Sequence, residues 1–315
     1  MINYKELTLY EAFIKGAKGN EGKPCILYLG KTFNYKYVLE QIEKTASILL
    51  SLGIKQGDII TLVLPNIPQA EYLIYGANKI GAVVHLIHAL TTKEQLKTNL
   101  LKTNSKYIFS LDLYVNNFIE VVNISSLKLF SISPMGEFSA IKQFFYNRIN
   151  KIKLHNQIVN FDKLIYKFTI GDSAKFVKRE LKATSFLFNG SGTNGVSNTI
   201  ELSDFAMMSL CENGLNILCT KSVVDKYMSS FMPFFHPFGF TMCLHSFNMF
   251  GGCNVLIPKF SRKSLIKYVV KNKMHYIVGV PTVFRALLEH KRFNGKKLKN
   301  ILASFVGGDL VPHNL

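Results

Sequence analysis

The chain contains no tryptophan, and of its 38 basic residues only Arg148, Arg179, Arg262, Arg285 and Arg292 are arginines. Arginine makes the planar, two-pronged contacts that read phosphates and base edges. Its scarcity, with lysines scattered along the whole length, argues against a dedicated nucleic-acid surface despite a formal net charge of +18. The excess charge still attracts anionic ligands, and an acidic membrane face, over long range. Cysteine is sparse too: Cys25, Cys211, Cys219, Cys243 and Cys253 are odd in number, widely spaced and set among apolar residues. None has zinc-ligand spacing with histidines, so a structural metal is not expected, and the thiols read as buried groups in a reducing compartment. The first ten residues carry Lys5 and Glu6 and lack the apolar stretch of a signal peptide, which predicts a cytoplasmic protein. Internal repeats and low-complexity tracts are likewise missing.

Charge is absent altogether from Tyr227 to Pro258, a run long enough to cross a bilayer. Pro233, Pro237, Gly239, Gly251 and Gly252 break it into short pieces, and His236, His245 and Asn248 interrupt its apolar face. It is therefore expected to form a buried strand, loop and helix rather than a transmembrane segment. With 48% hydrophobic and 18% charged residues over 315 positions, the chain has the composition of a globular protein of two domains or subdomains.

From Thr32 onward, short apolar runs alternate with segments of helical periodicity, which indicates an α/β fold of helix-flanked sheets. Helices are predicted over Tyr37–Leu52, from Pro68 to about Ile80, and over Thr92–Lys102; strands over Ile59–Leu64, Ala82–Ile87 and Tyr107–Phe109. Residues 133–172 have weak periodicity and many lysines, and read as an irregular bridge. A first subdomain is thus expected over residues 1–170 and a second over 171–315. The second should hold strands at Thr184–Phe188 and Thr199–Leu202 and a helix from Asp204 to about Leu218. Beyond it, strand and helix should alternate through Cys253–Ile257, Leu265–Lys271, Tyr276–Val280, Val283–His290 and Ile301–Val306.

The sharpest motif is Asn189-Gly190-Ser191-Gly192-Thr193-Asn194-Gly195-Val196-Ser197-Asn198, directly after the apolar Ser185-Phe186-Leu187-Phe188. Glycines let backbone N–H groups approach a ligand, and the Ser191 and Thr193 hydroxyls add donors, a combination suited to phosphate oxygens. A Gly/Ser/Asn surface turn between two strands has the same composition, so the residues alone leave both readings open. It is not a Walker loop, because Gly-x-x-x-x-Gly-Lys-Ser/Thr is absent. His85 and His88 have a His-x-x-His spacing without accompanying carboxylates and read as structural.

Ser191-Gly192-Thr193-Asn194-Gly195 resembles the Ser-Gly-Thr-Thr-Gly-x-Pro-Lys phosphate loop of adenylate-forming enzymes, the acyl-CoA synthetases, luciferases and peptide-synthetase adenylation domains. Upstream, Thr32-Phe33-Asn34-Tyr35, Leu52-Gly53-Ile54, Gly57-Asp58, Leu64-Pro65-Asn66 with Pro68, Gly76-Ala77 and Gly81-Ala82 follow that family's pattern in order. Downstream, Pro233-Phe234-Phe235-His236-Pro237-Phe238-Gly239 is similar to its Pro-x-Phe-His-x-x-Gly segment, and Gly251-Gly252, Val280-Pro281-Thr282 and Gly307-Gly308-Asp309-Leu310 complete the series.

The resemblance implies an acyl-CoA synthetase-like N-terminal domain of two helix-flanked sheets. It also implies ATP-dependent activation of a carboxylate, by acyl-adenylate formation and transfer to a thiol such as CoA, with Mg2+. Ser191, Gly192, Thr193, Asn194, Gly195 and Asn198 would face the ATP phosphates, His236 would sit at the carboxylate entrance, and Gly307, Gly308 and Asp309 would lie between adenine and acyl group. The phenylalanine-rich stretch Phe231–Phe250 points to an apolar acyl or aromatic acid. Asn198 replaces the family's lysine, and the family's Tyr-Gly-x-Thr-Glu segment, whose glutamate helps hold magnesium, has no counterpart here; nor do its ribose-binding aspartate and adenylation lysine. The chain therefore reads as incomplete for turnover. A separately encoded C-terminal half is one implied partner, and the alternatives are a non-catalytic binding relative or a module that loads a carrier protein.

Overall fold

Apolar runs of four to seven residues, rich in Ile, Val and Phe, form two mostly parallel sheets in the computed structural model. The structure describes residues 3–121, 127–168, 174–190, 198–218, 220–258, 261, 268–269, 274–290 and 299–312. The chain divides into two compact units, Glu40–Asp204 on the one hand and Met1–Leu39 with Phe205–Leu315 on the other.

In the unit Glu40–Asp204 the strands are β3 (Ile59–Val63), β4 (Val83–Leu86), β5 (Tyr107–Leu111), β6 (Lys128–Ile132), β7 (Ile158–Asn160), β8 (Thr184–Gly190) and β9 (Asn198–Ser203), in the order β7-β6-β5-β3-β4-β8-β9. Neighbours run parallel except β8 and β9, which form an antiparallel edge hairpin. Parallel strands covered on both faces bury nearly every side chain, and so read as unbroken apolar runs. On one face Val63, Ile108, Leu129 and Ile158 pack with Leu96, Leu100, Val115 and Phe118. On the other, Phe109 stacks on Phe130 with centroids 4.7 Å apart, and Phe161 meets Phe109 edge-on at 5.1 Å.

Helix α3 (Pro68–Lys79) begins with proline where its missing N–H costs nothing and buries all twelve residues. Its buried Lys79 is matched by an ion pair with Glu43. Helix α4 (Lys93–Thr103) starts from a capping box in which Thr92 and Gln95 exchange side chain-to-backbone hydrogen bonds. A second buried ion pair fastens the segment before β8: Arg179 Nε and Nη2 both lie 2.7 Å from Asp204 Oδ2, while Asn78 donates to Asp204 Oδ1 at 2.8 Å.

The other unit holds β1 (Pro24–Tyr28), β2 (Lys31–Asn34), β10 (Tyr227–Ser230), β11 (Cys253–Leu256), β12 (Tyr276–Gly279) and β13 (Ala303–Val306), in the order β13-β12-β10-β11-β1-β2. Only β2 runs antiparallel to its neighbour. Helix α1 (Leu9–Ala17) opens on a Thr8–Glu11 capping box, and the core gathers Met228, Phe247, Val255, Tyr276, Val278 and Leu287. Cys25, Cys211, Cys243 and Cys253 are buried thiols outside any disulfide, and burial pushes the Cys211 and Cys243 thiols up. The charge-free stretch Tyr227–Pro258 resolves into β10, a π-helix over Gly239–His245, a short helical turn and β11. Among the described residues no helix is long and apolar enough to cross a membrane.

Several expectations need correction. The expected division at about residue 170 differs from the observed grouping, because β8 pairs with β4 and β9 with β8, so both join the sheet of Glu40–Asp204. Residues 1–39 belong with the C-terminal part, since β1 pairs with β11 more than 200 residues away. The supposedly irregular 133–172 region contains helix α5 (Ala140–Ile149), β7 and helix α6 (Phe161–Lys167). The helix expected to about Leu218 stops at Cys211, and Gly214–Ile217 forms a separate turn beyond Asn213. Most of the element expected at Leu265–Lys271 lies outside the described residues.

Candidate functional site

The glycine motif follows the carboxyl end of β8, where Gly190 pairs with Asn198 across the hairpin. Ser191, Gly192, Thr193, Asn194 and Gly195 fall in 191–197, outside the described residues; the two stems of the loop are described. Strand β8 lies beside β4 in parallel register, with Val84 opposite Phe186 and Leu86 opposite Phe188. The loop therefore leaves the sheet at its carboxyl edge, the edge outside which open α/β sheets bind ligands. Asn198 is exposed at the first position of β9.

The inner stem is held by a residue read from sequence as merely structural. His85, fully buried on β4, places Nε2 3.2 Å from Asn189 Oδ1. Burial pushes the imidazole down to about 4, against a smaller upward pull from the Asn189 hydrogen bond. The ring is consequently neutral at pH 7, and Nε2 facing an amide oxygen is its donor nitrogen. The other nitrogen, Nδ1, is buried without a partner. A polar residue in the middle of the Val83–Leu86 run was the available signal, since a buried imidazole has to be satisfied; its partner, 104 residues away, had none. His88 is occupied locally, accepting the Leu90 N–H through Nδ1 at 2.9 Å.

In the unit Met1–Leu39 with Phe205–Leu315, three motif segments emerge side by side. The registers Ser229 with Ile277 and Gly279 with Val306 align the carboxyl ends of β10, β12 and β13. After β10 comes Phe231–Gly239; after β12, Val280 and Pro281 open helix α8 (Pro281–Leu288); after β13, Gly307 and Gly308 turn the chain. Gly307 donates to Gly279 O at 3.1 Å, extending the ladder by one bond. The Phe238 ring packs against the Gly307 backbone, 3.5 Å from where a β-carbon would stand. Gly308 has φ +82°, a left-handed conformation that glycine takes without strain, and Val280 stands at its side.

His236 is exposed at the tip of this arrangement. Its backbone N–H donates to Pro233 O at 3.1 Å, its carbonyl accepts the Phe240 N–H at 3.0 Å, and its Nδ1 accepts the Phe238 N–H at 3.2 Å. It is thus not a core histidine, and Nε2 is the ring atom left to a ligand. Beneath it, Ser230 Oγ donates to Cys243 O at 2.9 Å and Asn254 Nδ2 reaches Asn248 Oδ1 at 2.6 Å and Leu244 O at 3.2 Å. This fully buried network ties the π-helix to β10 and β11 and so fixes the exit of the 231–239 segment. Asp309 is exposed, and its Oδ1 accepts the N–H of Leu310 at 2.7 Å. The structure thus brings His236, Phe238, Gly307 and Gly308 to one edge of one sheet, and sets Asn189 and Asn198 on the loop edge of the other. Among the described residues no three His, Cys, Asp or Glu side chains gather as a metal site.

Comparison with known proteins gives the same account of the fold. A long-chain-fatty-acid–CoA ligase of Bacillus subtilis (strain 168) is 25% identical over 320 residues, covering 97% of this chain and 56% of the relative. A long-chain-fatty-acid–CoA ligase of Escherichia coli O157:H7 is 25% identical over 318 residues, covering 96% and 55%. Among solved structures, a benzoate CoA ligase from Burkholderia xenovorans LB400 matches with a TM-score of 0.81 at 14% identity, over 98% of this chain and 57% of that one. An anthranilate CoA ligase in complex with anthranoyl-AMP matches with a TM-score of 0.81 at 15% identity, over 99% and 57%. The chain spans about half the length of the curated relatives it matches. The sequence profile of the AMP-binding enzyme family matches residues 13–315, and the chain belongs to that family.

Proposed function

We propose that this chain forms the nucleotide- and acyl-binding part of an ATP-dependent, carboxylate-activating ligase. In that reaction a carboxylate oxygen attacks the α-phosphorus of ATP, the bond to pyrophosphate breaks, and a thiol such as CoA then displaces AMP from the acyl-adenylate. The observation that carries the reading is the side-by-side emergence of Phe231–Gly239, Val280-Pro281 and Gly307-Gly308 from aligned parallel strands. Their order in the sequence is the order of the family's acyl and adenine segments. Catalysis of such a step is mainly positioning and neutralisation of developing negative charge. His236, exposed and braced through Nδ1, suits the first of these at the carboxylate. Ser191, Gly192, Thr193, Asn194, Gly195 and Asn198 would line the triphosphate, and Gly307, Gly308 and Asp309 the adenine side. Among the described residues no three His, Cys, Asp or Glu side chains gather as a metal site; Mg2+ would enter bound to the nucleotide's phosphates, as it often does.

The names of the relatives, fatty-acid, benzoate and anthranilate ligases, support an apolar acyl or aromatic acid as substrate. Transfer to a carrier-protein thiol instead of CoA is the near variant, and a separately encoded C-terminal half is a proposed partner. A non-catalytic nucleotide- and acyl-binding role is a second reading, favoured by the neutral, exposed Asn198 where the family has lysine.

Nucleotide titration of the purified chain tests the proposal. ATP is expected to bind, while acid-dependent ATP–pyrophosphate exchange by the 315-residue chain alone stays at background. Asn198→Lys would add a charge-assisted contact of about 1.5 to 3 kcal/mol, roughly a tenfold or larger gain for ATP and a smaller one for AMP. Exposed Asn156→Lys is the control for bulk charge. Absence of ATP binding, or equal gains at both positions, would reduce the loop to a surface turn.

A further inference from the structure

Helix α5 (Ala140–Ile149) buries none of its ten residues. Ile141, Phe144, Phe145 and Ile149 are 69, 58, 56 and 76% exposed. Their spacing, i, i+3, i+4 and i+8, puts them on one stripe of the helix. The opposite side is polar and faces the protein: Gln143 Nε2 donates to Phe138 O at 2.8 Å, and Tyr146 OH donates to Asp112 Oδ1 at 2.9 Å. A helix that serves a core does the reverse, burying its apolar stripe and showing its polar one. This helix is held by hydrogen bonds with its apolar stripe turned outward.

The charges on the helix and just beyond it have one sign, while Asp112 is buried behind its polar side, Asp162 is half-buried against the Ser133 N–H and Glu137 precedes it. Lys142, Arg148, Lys151 and Lys153 lie on or just beyond the helix, and no Asp or Glu occurs from Phe138 to Phe161. Arg148 falls within the stripe, and Lys142 Nζ sits 5.0 Å over the Phe138 ring. A protein partner fits this surface poorly. Ten helical residues present a face about 15 Å long and about 10 Å wide, on the order of 150 Å² and well short of the roughly 800 Å² per partner of a stable protein interface, and interface centres are depleted of lysine. Interfacial membrane helices, in contrast, combine aromatic and aliphatic side chains with Lys and Arg long enough to reach the phosphates.

We propose that α5 is a membrane-docking helix that lays Ile141, Phe144, Phe145 and Ile149 into the headgroup–acyl boundary of an anionic phospholipid surface, with Lys142, Arg148, Lys151 and Lys153 at phosphate level. The inference rests on this helix alone and is independent of which reaction the chain serves.

Because the sequence contains no tryptophan, Phe145→Trp supplies a single fluorescent reporter. On addition of phosphatidylcholine vesicles containing phosphatidylglycerol, its emission should shift to the blue and be quenched by brominated lipid. Leu101→Trp, at an exposed site on α4, should not respond. Co-sedimentation of F144S/F145S with the same vesicles should fall at least about tenfold, as expected for two phenylalanines no longer entering an apolar phase. Half-molar salt, or neutralising Lys142, Arg148, Lys151 and Lys153 to glutamine, should abolish the preference for anionic over pure phosphatidylcholine vesicles. An unchanged Phe145→Trp spectrum, or an equal response from Leu101→Trp, would overturn the proposal. So would a lipid-free dimer that F144S/F145S converts to monomer, or a lowered melting temperature of that variant, since each would mean the stripe is already covered by protein.

Discussion

Gly239, the last residue of the Pro233–Gly239 segment, lets space be separated from flexibility as the reason for a motif glycine. Its backbone does not lie in the left-handed region, so no conformational freedom is needed there. A β-carbon at this position would stand 2.2 Å from Pro233 O and 2.9 Å from Met232 C and O. All three obstacles are backbone atoms, and Pro233 O also accepts the His236 N–H, so no side chain can swing aside. The Gly239→Ala variant must displace the peptide by about 1 Å, the distance separating 2.2 Å from an ordinary contact. Overpacking of this kind costs about 1–3 kcal/mol, and obstruction by backbone places it at the upper end. At about 2–4 °C per kcal/mol for a chain of this size class, the melting temperature should drop by roughly 5–10 °C in differential scanning calorimetry. Gly22→Ala, where a β-carbon meets nothing within 4 Å, is the matched control and should stay within about 0.5 kcal/mol of the parent. Equal melting temperatures for Gly239→Ala and the parent would show that the 231–239 turn does not close as described, and would remove the structural basis for placing His236.

Asp204→Ala should destabilise the unit Glu40–Asp204 by about 3–5 kcal/mol in urea unfolding, because it leaves the Arg179 guanidinium buried without its counter-charge; a loss below 1 kcal/mol would mean that Arg179 finds water instead. Stability should also fall with acidification. Burial lowers His85 from 6.5 to about 4 and His245 to about 3, so both are neutral in the fold and bind protons more readily once it opens. The stability they contribute is complete above pH 6.5 and is lost as the pH falls from 6.5 toward 4 for His85 and toward 3 for His245. For His85 alone the loss is about 3 kcal/mol at 1.36 kcal/mol per pH unit. Urea midpoints measured at pH 7, 5.5 and 4.5 should decline in step, and a flat profile would contradict the burial of both rings.

Much of the fold was legible because parallel strands covered on both faces leave a local trace. Ile59–Val63, Val83–Leu86 and Tyr276–Gly279 are apolar runs of strand length bounded by Gly57-Asp58, Gly81 and Pro281. Pro68 and Thr92 announce α3 and α4 by first-turn chemistry that needs no tertiary context. What failed was non-local. Pro24–Tyr28 is a strand because it lies against β11, and no residue near it in sequence announces a partner more than 200 positions on. Helix α5 escapes a sequence reading for the opposite reason. A periodic apolar stripe is taken to mean a buried face, and the stripe of α5 faces outward among lysines, so its pattern did not match the expectation for an element of the core.

The candidate site divides along the same line, and the division bears on what a motif match can mean. Gly239 and Gly308 are glycines for reasons of backbone geometry, the first for space and the second for its φ of +82°. Pro281 suits the first turn of α8 in the same way. Residues of this kind are needed for the chain to fold, whether or not it turns over substrate. Their agreement with the family pattern is therefore strong evidence for the architecture and says little about catalysis. The positions that would distinguish an active ligase from a binding relative are those where a side chain's charge acts on the ligand, because the fold does not require them. Asn198 is such a position: it is exposed at the start of β9, opposite Gly190 in the hairpin register, where the backbone pairing is compatible with an amide or an ammonium side chain. The lysine of the family pattern is missing where the fold would tolerate its loss, and the glycines are present where the fold would not. Under the proposed function the chemistry would turn on Asn198 and His236, while backbone positions such as Gly239 and Gly308 serve the architecture.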